Sequence, residues 1–463
     1  MMNVLESLLI LAATLSALWW AFARHRAPVA LEWLSFTGLG LAVLALALER
    51  MHWQLVPWQL LALACAVVDL LRRQRLARSR RIVRVVGRAA LVLGVLAGGV
   101  GLLAARVPQL PRPSGPHLVG SVVFHWTDAQ RPEIFATNAG ERRQVVAQAW
   151  YPTETPSRPV PYFEAQGRLP GYVDPYPAWF YGDFDQVDTH ASASPPVSPE
   201  RPTWPVLVFL PGWGSPREQY SALCADLASR GYVVLALSHP YESTVSVLAD
   251  GRVVGTVAGA SILRANMADM TPIRAADSRF VLDQLGRLAE VEPGSPLVGH
   301  LDVGHAGIVG HSMGGAAAAQ VVAEDRRFLV GVNLDGTLPE ALAAGWHLGA
   351  PFLWLPADGQ QQASYLQGRD RLLAGVRGSD LLVVGGTSHT SFTDLSAYMS
   401  PLGRALTGDD GSQALVAATT GDLIAAFVAA PLAGPGEPMA QVLARHPTVR
   451  REQSNAAGRA GGG

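Results

Sequence analysis

The stretch Gly307-Ile308-Val309-Gly310-His311-Ser312-Met313-Gly314-Gly315 sets a serine between two glycines. A G-x-S-x-G pattern is weak by itself, because 47 glycines in 463 residues produce roughly 0.3 such matches by chance. It gains meaning when a buried strand runs into it, a helix leaves it, and an acid and a histidine follow later in the chain. Here AGIVG reads as a short apolar strand, and AAAAQVVAEDRRF has the alanine-rich composition of a helix packed close to a sheet. A serine on so tight a turn has a strained backbone, and Gly310 and Gly314 remove side chains that would collide there. The helix beyond Ser312 aims free amides and its positive end at the hydroxyl, a setting that favours an oxyanion, with the Met313 amide as a natural donor.

Outward from this turn, short apolar strands alternate with helical segments. WPVLVFLP is a strand followed by a helix through Leu227, YVVLALSH is the next strand, and VLADGRVV reads as a hairpin around Asp250 and Gly251. A helix is expected from about Ile273 to Leu288. This alternation is the pattern of an α/β fold, a mostly parallel sheet flanked by helices. Further strands are expected at Val119–Trp126 and Gln144–Trp150, while 152–205, rich in Pro, Tyr, Trp and Phe, keeps no period and is read as an irregular stretch, a candidate lid. The domain spans 117–433, after a linker PQLPRPSGP at 108–116, and the tail 434–463, which ends in GRAGGG, is expected to be disordered.

If Ser312 is a nucleophile, histidine must activate it. All 36 basic residues are arginine, so a Schiff-base lysine, a Ser-Lys dyad and a phosphate-loop lysine are excluded. Three histidines follow the serine. His389, in GGTSHTSF after the strand SDLLVVGG, falls at the strand's C-terminal edge and is the candidate base; His347 precedes a strand, and His446 lies in a tail with no sheet expected after it. For the acid, Asp335 ends FLVGVNLD and Asp358 ends PFLWLPAD; both satisfy the order Ser, Asp, His, and topology does not choose. The loop VFLPGWGS offers a second oxyanion donor, the amide of Trp213. Cys65 and Cys224 are too far apart in kind and place to pair, no CxxC or HExxH spacing occurs, and neither metal nor cofactor is expected.

The apolar fraction, 49%, is high for a purely soluble chain, and the excess lies near the start. Four apolar runs, Val4–Phe22, Val29–Leu48, Leu55–Leu71 and Ala89–Val107, each approach the ~20 residues a membrane-spanning helix needs, so 1–107 is expected to be a four-helix transmembrane region. Glu6 stands where a signal peptide would carry basic residues. Glu6, Glu32 and Asp69 lie within or beside these runs, near their ends. The cluster Arg72, Arg73, Arg75, Arg78, Arg80, Arg81, Arg84 and Arg88 between the third and fourth runs is retained on the cytoplasmic side, as are Arg24 and Arg26 in the first loop. Both chain ends then face outward from a multi-pass cytoplasmic membrane protein. Beyond Val107 the chain carries 24 arginines against 33 acidic residues, net −9, which argues against nucleic acid as a partner.

The ordered set PGWGS, LASRGYVVLALSHPYES, VLADGRVV, GHSMGG, VNLDGTLPE and GTSHTSFTDL resembles the plasma-type platelet-activating-factor acetylhydrolase family and its bacterial carboxylic-ester hydrolase relatives, over roughly His117 to Ala430. The resemblance implies the α/β-hydrolase fold and a serine esterase using Ser312, His389 and, because the family's acid follows the strand after the nucleophile's helix, Asp335 within NLDG. Pro211 stands where that family's oxyanion loop commonly begins with histidine. The implied substrates are platelet-activating-factor-like or short-acyl phospholipid esters. A thioesterase or peptidase on the same triad, and an inactive binding domain carried by a membrane protein, are the competing expectations.

Overall fold

The computed structural model describes residues 4–22, 29–48, 55–73, 81–104, 107–136, 138, 140–173, 176–256, 267–338, 340–359, 363–398 and 413–454. They divide into two compact units. The first holds α1 (Val4–Phe22), α2 (Val29–Leu48), α3 (Val56–Arg73) and α4 (Arg81–Ala104), grouped with Trp179–Phe184 and Tyr398. Leu9, Ala13, Ala17, Trp58, Leu61, Ala62 and Cys65 form its interior, with Glu6 and Asp69 also buried. Glu32 lies outside the residues whose side chains are described.

The four helices sit on the four apolar runs, but among the described residues only one meets the length and apolarity needed to cross a membrane. Among the described residues that stretch is Leu5–Phe22; the apolar parts of the others, Trp33–Leu44, Val56–Leu70 and Arg88–Gly99, are too short. The fourth helix begins at Arg81, eight residues before the apolar run, because arginine is as good a helix former as leucine and the arginine cluster therefore does not interrupt it.

The second unit is built on a ten-stranded sheet. Its strands are β1 (Leu118–Pro132), β2 (Arg142–Thr153), β3 (Ala191–Ala193), β4 (Trp204–Leu210), β5 (Val233–Ser238), β6 (Leu301–His311), β7 (Phe328–Leu334), β8 (Phe352–Leu355), β9 (Asp380–Val384) and β10 (Val449–Ser454). Their order across the sheet is β10-β9-β8-β7-β6-β4-β5-β2-β1-β3. The run from β5 to β9 is parallel, and β2 and β10 add antiparallel strands at its two sides.

Parallel strands are buried on both faces, which is why β4 and β5 read as continuous apolar runs. Val206, Val208 and Leu210 of β4 point into one core with Val281 and Leu285 of α6 (Met267–Gly286) and Ala316–Ala319 of α7 (Met313–Glu324). Leu207 and Phe209 point the other way, against Leu223 and Leu227 of α5 (Ser221–Ser229) and Leu423, Ile424 and Val428 of α8 (Gln413–Val428). The result is the mixed, mostly parallel sheet with flanking helices of the α/β hydrolases.

The hairpin forms between Ser246–Val247 and Val253–Val254, with Gly251 at φ 82°. The stretch 152–205 is irregular but not free of order: Tyr162 is fully buried, two short turns of 3-10 helix follow, and Ala191–Ala193 joins the sheet edge as β3. The tail departs from expectation. Met439–Arg445 forms a helix, α9, and β10 pairs with β9 through Ser454. Its ladder to β9 is joined by two charged contacts, Arg450 on Asp358 at 2.7 Å and Arg451 on Asp380 at 2.8 Å, and Val442 and Val449 pack against the core beneath. The GRAGGG end lies outside the described residues.

Candidate active site

Strand β6 delivers Ser312 and α7 leaves from it. The serine backbone stands at φ 55°, ψ −123°, a region in which a non-glycine residue costs of order 1–3 kcal/mol. Its glycines are required by backbone, not side chains: a Cβ on Gly310 would lie 2.1 Å from the Gly314 carbonyl oxygen, and one on Gly314 would lie 2.1 Å from that of Leu210. The collision that the sequence pattern predicts therefore involves main chain, which no rotamer change relieves.

His389 follows β9 and opens a single 3-10 turn, His389–Phe392, in which the Ser388 amide donates to Ser391 Oγ at 2.9 Å. Asp335 directly follows β7 at φ 50°, a conformation aspartate and asparagine tolerate better than most residues. The three side chains meet. His389 Nδ1 lies 2.6 Å from Asp335 Oδ2, and His389 Nε2 lies 3.1 Å from Ser312 Oγ. A carboxylate only accepts, so Nδ1 carries the hydrogen and Nε2 is left to accept the serine hydroxyl. The other oxygen of Asp335 accepts the Ala357 amide at 2.8 Å, and the carboxylate is buried while the imidazole is half exposed.

Asp358 is elsewhere engaged. Its carboxylate accepts from Arg450 at 2.7 Å and from the Gly386 amide at 2.8 Å, and these two partners, the guanidinium first, hold its pKa below the usual carboxylate range. His347 is exposed and turned to the Gly345 carbonyl, and His446, followed after all by a strand, faces Asp422 at 2.6 Å.

The loop after β4 lies against the serine turn: a Cβ on Gly212 would come within 3.4 Å of Ser312 Cβ. Gly214, at φ 74°, closes the loop, and Trp213 at its tip is 41% exposed. Met313 opens α7, whose first amides have no intrahelical acceptor. Behind the loop, Arg274 donates to the Pro211 carbonyl at 2.6 Å and pairs with Glu242 at 2.9 Å, both side chains buried. Beside them Asp277 is buried, which opposes its charge, yet Arg143 and the Nδ1–H of His239 hold it well below the usual carboxylate range.

Four residues of this surround, Tyr220, Arg274, His311 and Asp394, escape a reading of the sequence. His311 sits inside the opening motif, but a search for a base runs downstream of the serine and passes it over. It is 3% exposed, with Nδ1 2.8 Å from the Tyr220 hydroxyl and Nε2 2.9 Å from the His389 carbonyl. Burial, and then the adjacent His389, pull its pKa down to about 3, so its ring is neutral. Asp394 lies two residues beyond the histidine turn and is buried; its amide donates to the Gln219 carbonyl at 2.7 Å, and its carboxyl receives Tyr162 Oη at 3.1 Å and the Ala222 amide at 3.3 Å. Burial pushes its pKa up to about 7, against the opposing hydrogen bonds.

The comparison with known proteins agrees with this architecture. The family described as platelet-activating factor acetylhydrolase, isoform II, matches residues 107–250 and 295–417. A probable 1-alkyl-2-acetylglycerophosphocholine esterase of Arthroderma benhamiae is 29% identical over 137 residues, 29% of this chain and 32% of the relative. The platelet-activating factor acetylhydrolase of Cavia porcellus is 25% identical over 213 residues, 42% of this chain and 49% of the relative. The chain thus spans about half or less of the length of these relatives. Among solved structures, a ferulic acid esterase from Streptomyces cinnamoneus superposes with a TM-score of 0.61 at 28% identity, covering 75% of this chain and all of the other. With its serine turn, its sheet order and a match over more than half its length, the chain belongs to the platelet-activating factor acetylhydrolase, isoform II, family.

Proposed function

We propose that this chain is a membrane-anchored serine hydrolase of carboxylic esters, acting on short-acyl phospholipid esters of the platelet-activating-factor type. The observation that carries the reading is the line of hydrogen bonds from Asp335 Oδ2 through His389 to Ser312 Oγ, at 2.6 and 3.1 Å. Ser312 Oγ attacks the ester carbonyl as His389 Nε2 takes its proton. The amides of Trp213 and Met313 hold the oxyanion, each such donor contributing on the order of 3 kcal/mol. His389 then returns the proton to the departing alkoxide, leaving an acyl-serine, and activates water by the same path to release the acid. Asp335 keeps the proton on Nδ1 throughout and stabilises the imidazolium. The ester class draws support from the names of the fungal and guinea-pig relatives, and a feruloyl ester is the second reading because the ferulic acid esterase is matched along its whole length.

Anchoring belongs to the same proposal. Four crossings by 1–107 place the catalytic domain on the extracytoplasmic side; the apolar runs and the arginine cluster favour this arrangement. The test is hydrolysis of a 1-alkyl-2-acetyl phospholipid, a p-nitrophenyl acetate control and methyl ferulate by the full chain and by Ser312→Ala. The wild type takes a fluorophosphonate label and turns over the acetyl phospholipid, and the variant does neither. Loss of a triad nucleophile costs about 10⁶ in kcat, so residual turnover above about one hundredth refutes the assignment, while turnover of methyl ferulate alone moves the substrate class to the second reading.

A further inference from the structure

Two hydrogen-bonding groups lie between the loop that precedes Ser312 in space and the histidine that follows it in the chain, and their donors and acceptors can be ordered without ambiguity. The His389 carbonyl only accepts, so His311 Nε2, 2.9 Å away, carries the hydrogen. The ring being neutral, Nδ1 is bare and accepts the Tyr220 hydroxyl at 2.8 Å. The Tyr220 oxygen in turn accepts the Gly212 amide at 2.9 Å. Burial drives the phenol pKa up to about 12, so it remains a donor at working pH. A directed chain therefore runs from the Gly212 N–H to Tyr220, where the Ser215 side chain is a further partner, to His311, to the backbone of His389.

We infer that Tyr220 and His311 are positioning residues that hold the oxyanion loop and the catalytic histidine in one register. The inference rests on the reading of Ser312 and His389 as nucleophile and base. At one end, the chain consumes the Gly212 amide and so fixes the Pro211–Gly212 peptide, one residue before the proposed donor Trp213. At the other, it fixes the carbonyl of the residue whose ring must lie between Ser312 and Asp335. His311 performs no proton transfer with substrate: both its nitrogens are occupied, it is 3% exposed, and its ring lies 4.6 Å from that of His389. Its neutrality is part of the device, since an imidazolium there would oppose the charge His389 takes on during attack. Packing contributes to the arrangement too, because Gly212 lies close to both members of the pair: a Cβ there would meet His311 Nδ1 at 3.1 Å and Tyr220 Oη at 3.2 Å, and they would have to shift by a few tenths of an ångström.

The test uses the full chain in detergent, with p-nitrophenyl acetate as the probe, and compares Tyr220→Phe, His311→Leu, the double variant, His311→Gln and Ser312→Ala. Tyr220→Phe removes one oxygen and little volume, so it reports even if His311→Leu fails to fold. The expected result is a fall in kcat of about 10- to 100-fold for either single variant, with KM within about twofold, since a displaced catalytic group loses turnover and not affinity. The double variant falls no further than His311→Leu alone, because Tyr220 acts through His311. His311→Gln, whose amide can still donate toward the His389 carbonyl, recovers most of the loss. If both single variants keep kcat within about twofold of wild type while Ser312→Ala is dead, the inference is overturned and the reading of the triad stands; losses that multiply in the double variant and track its melting temperature overturn it equally. An active Ser312→Ala removes the parent reading instead.

Discussion

Asp335 and Asp358 each close a strand downstream of Ser312 and look alike in sequence, yet one carboxylate faces an imidazole and the other a guanidinium. The difference lies in sheet order. Strand β7 is the direct neighbour of β6, with His311 opposite Leu334, so the residue after Leu334 comes beside the serine turn, whereas Asp358 lies one strand further and meets Arg450. Replacement of Asp335 by asparagine suits the backbone, since asparagine also accepts φ 50°. If its oxygen keeps the Ala357 amide, its NH₂ must face His389 Nδ1, which forces the proton onto Nε2 and leaves no acceptor for the Ser312 hydroxyl. Asp335→Asn is therefore expected to lower kcat by on the order of 10⁴, about 5 kcal/mol, at unchanged melting temperature. Asp358→Asn leaves kcat within a few-fold, because it loosens only an exposed ion pair. Steady-state kinetics on one soluble short-acyl ester separate the two, and a severe Asp358→Asn with a mild Asp335→Asn reverses the assignment.

Among the elements, those read most readily from sequence are the ones whose burial writes itself into composition. The strands β4, β5, β6 and β7 are apolar on both faces, the helix after Ser312 is a run of alanines, and the glycines flank the serine as the turn requires. Strand β10 left no such trace. VRREQS at a sheet edge presents arginines to carboxylates, and a sequence read for apolar periods takes it for a disordered tail. The ties around the histidine turn were hidden for a related reason: Asp394 reaches Tyr162, Ala222 and Gln219 across long separations in the chain, and no local spacing encodes that. This buried carboxyl has a measurable consequence. With its folded pKa raised from 3.8 to about 7, the folded state keeps the proton that the unfolded chain gives up above about pH 4. The carboxyl's contribution to stability is thus complete below pH 4 and declines as the pH rises to about 7. Relative to Asp394→Asn, which cannot ionise, the wild type is expected to lose melting temperature across that window and to level off above it. Thermal unfolding of both proteins from pH 4 to 8 checks this; a melting-temperature difference that stays constant over the range would falsify it.

At the scale of the whole chain, the distribution of charge bears on where the catalytic unit resides. The first 107 residues hold 12 arginines and 4 acidic residues, the rest is net −9, and the arginines gather between α3 and α4. That part of the cluster is helical does not weaken its pull, since basic residues within about 15–20 positions of a span's end count toward retention. Parity then decides the location. On the proposed topology Arg24 and Arg26 keep the first loop inside, so an even number of crossings returns the chain to the outside, whereas a single crossing by Leu5–Phe22, among the described residues the one stretch long and apolar enough on its own, leaves everything after it in the cytoplasm. The proposal of four crossings thus predicts that alkaline phosphatase fused after Gly463 is active in intact cells and that a cytoplasm-dependent fluorescent reporter at the same position is dark. Neutralising the cluster, with Arg72, Arg73, Arg75, Arg78, Arg80, Arg81, Arg84 and Arg88 all changed to glutamine, should scramble that orientation while leaving ester hydrolysis by the solubilised protein unaltered. An active cytoplasmic reporter with a silent phosphatase would reduce the helical unit to a single anchor and place Ser312 on the inner side, within reach of a different pool of esters.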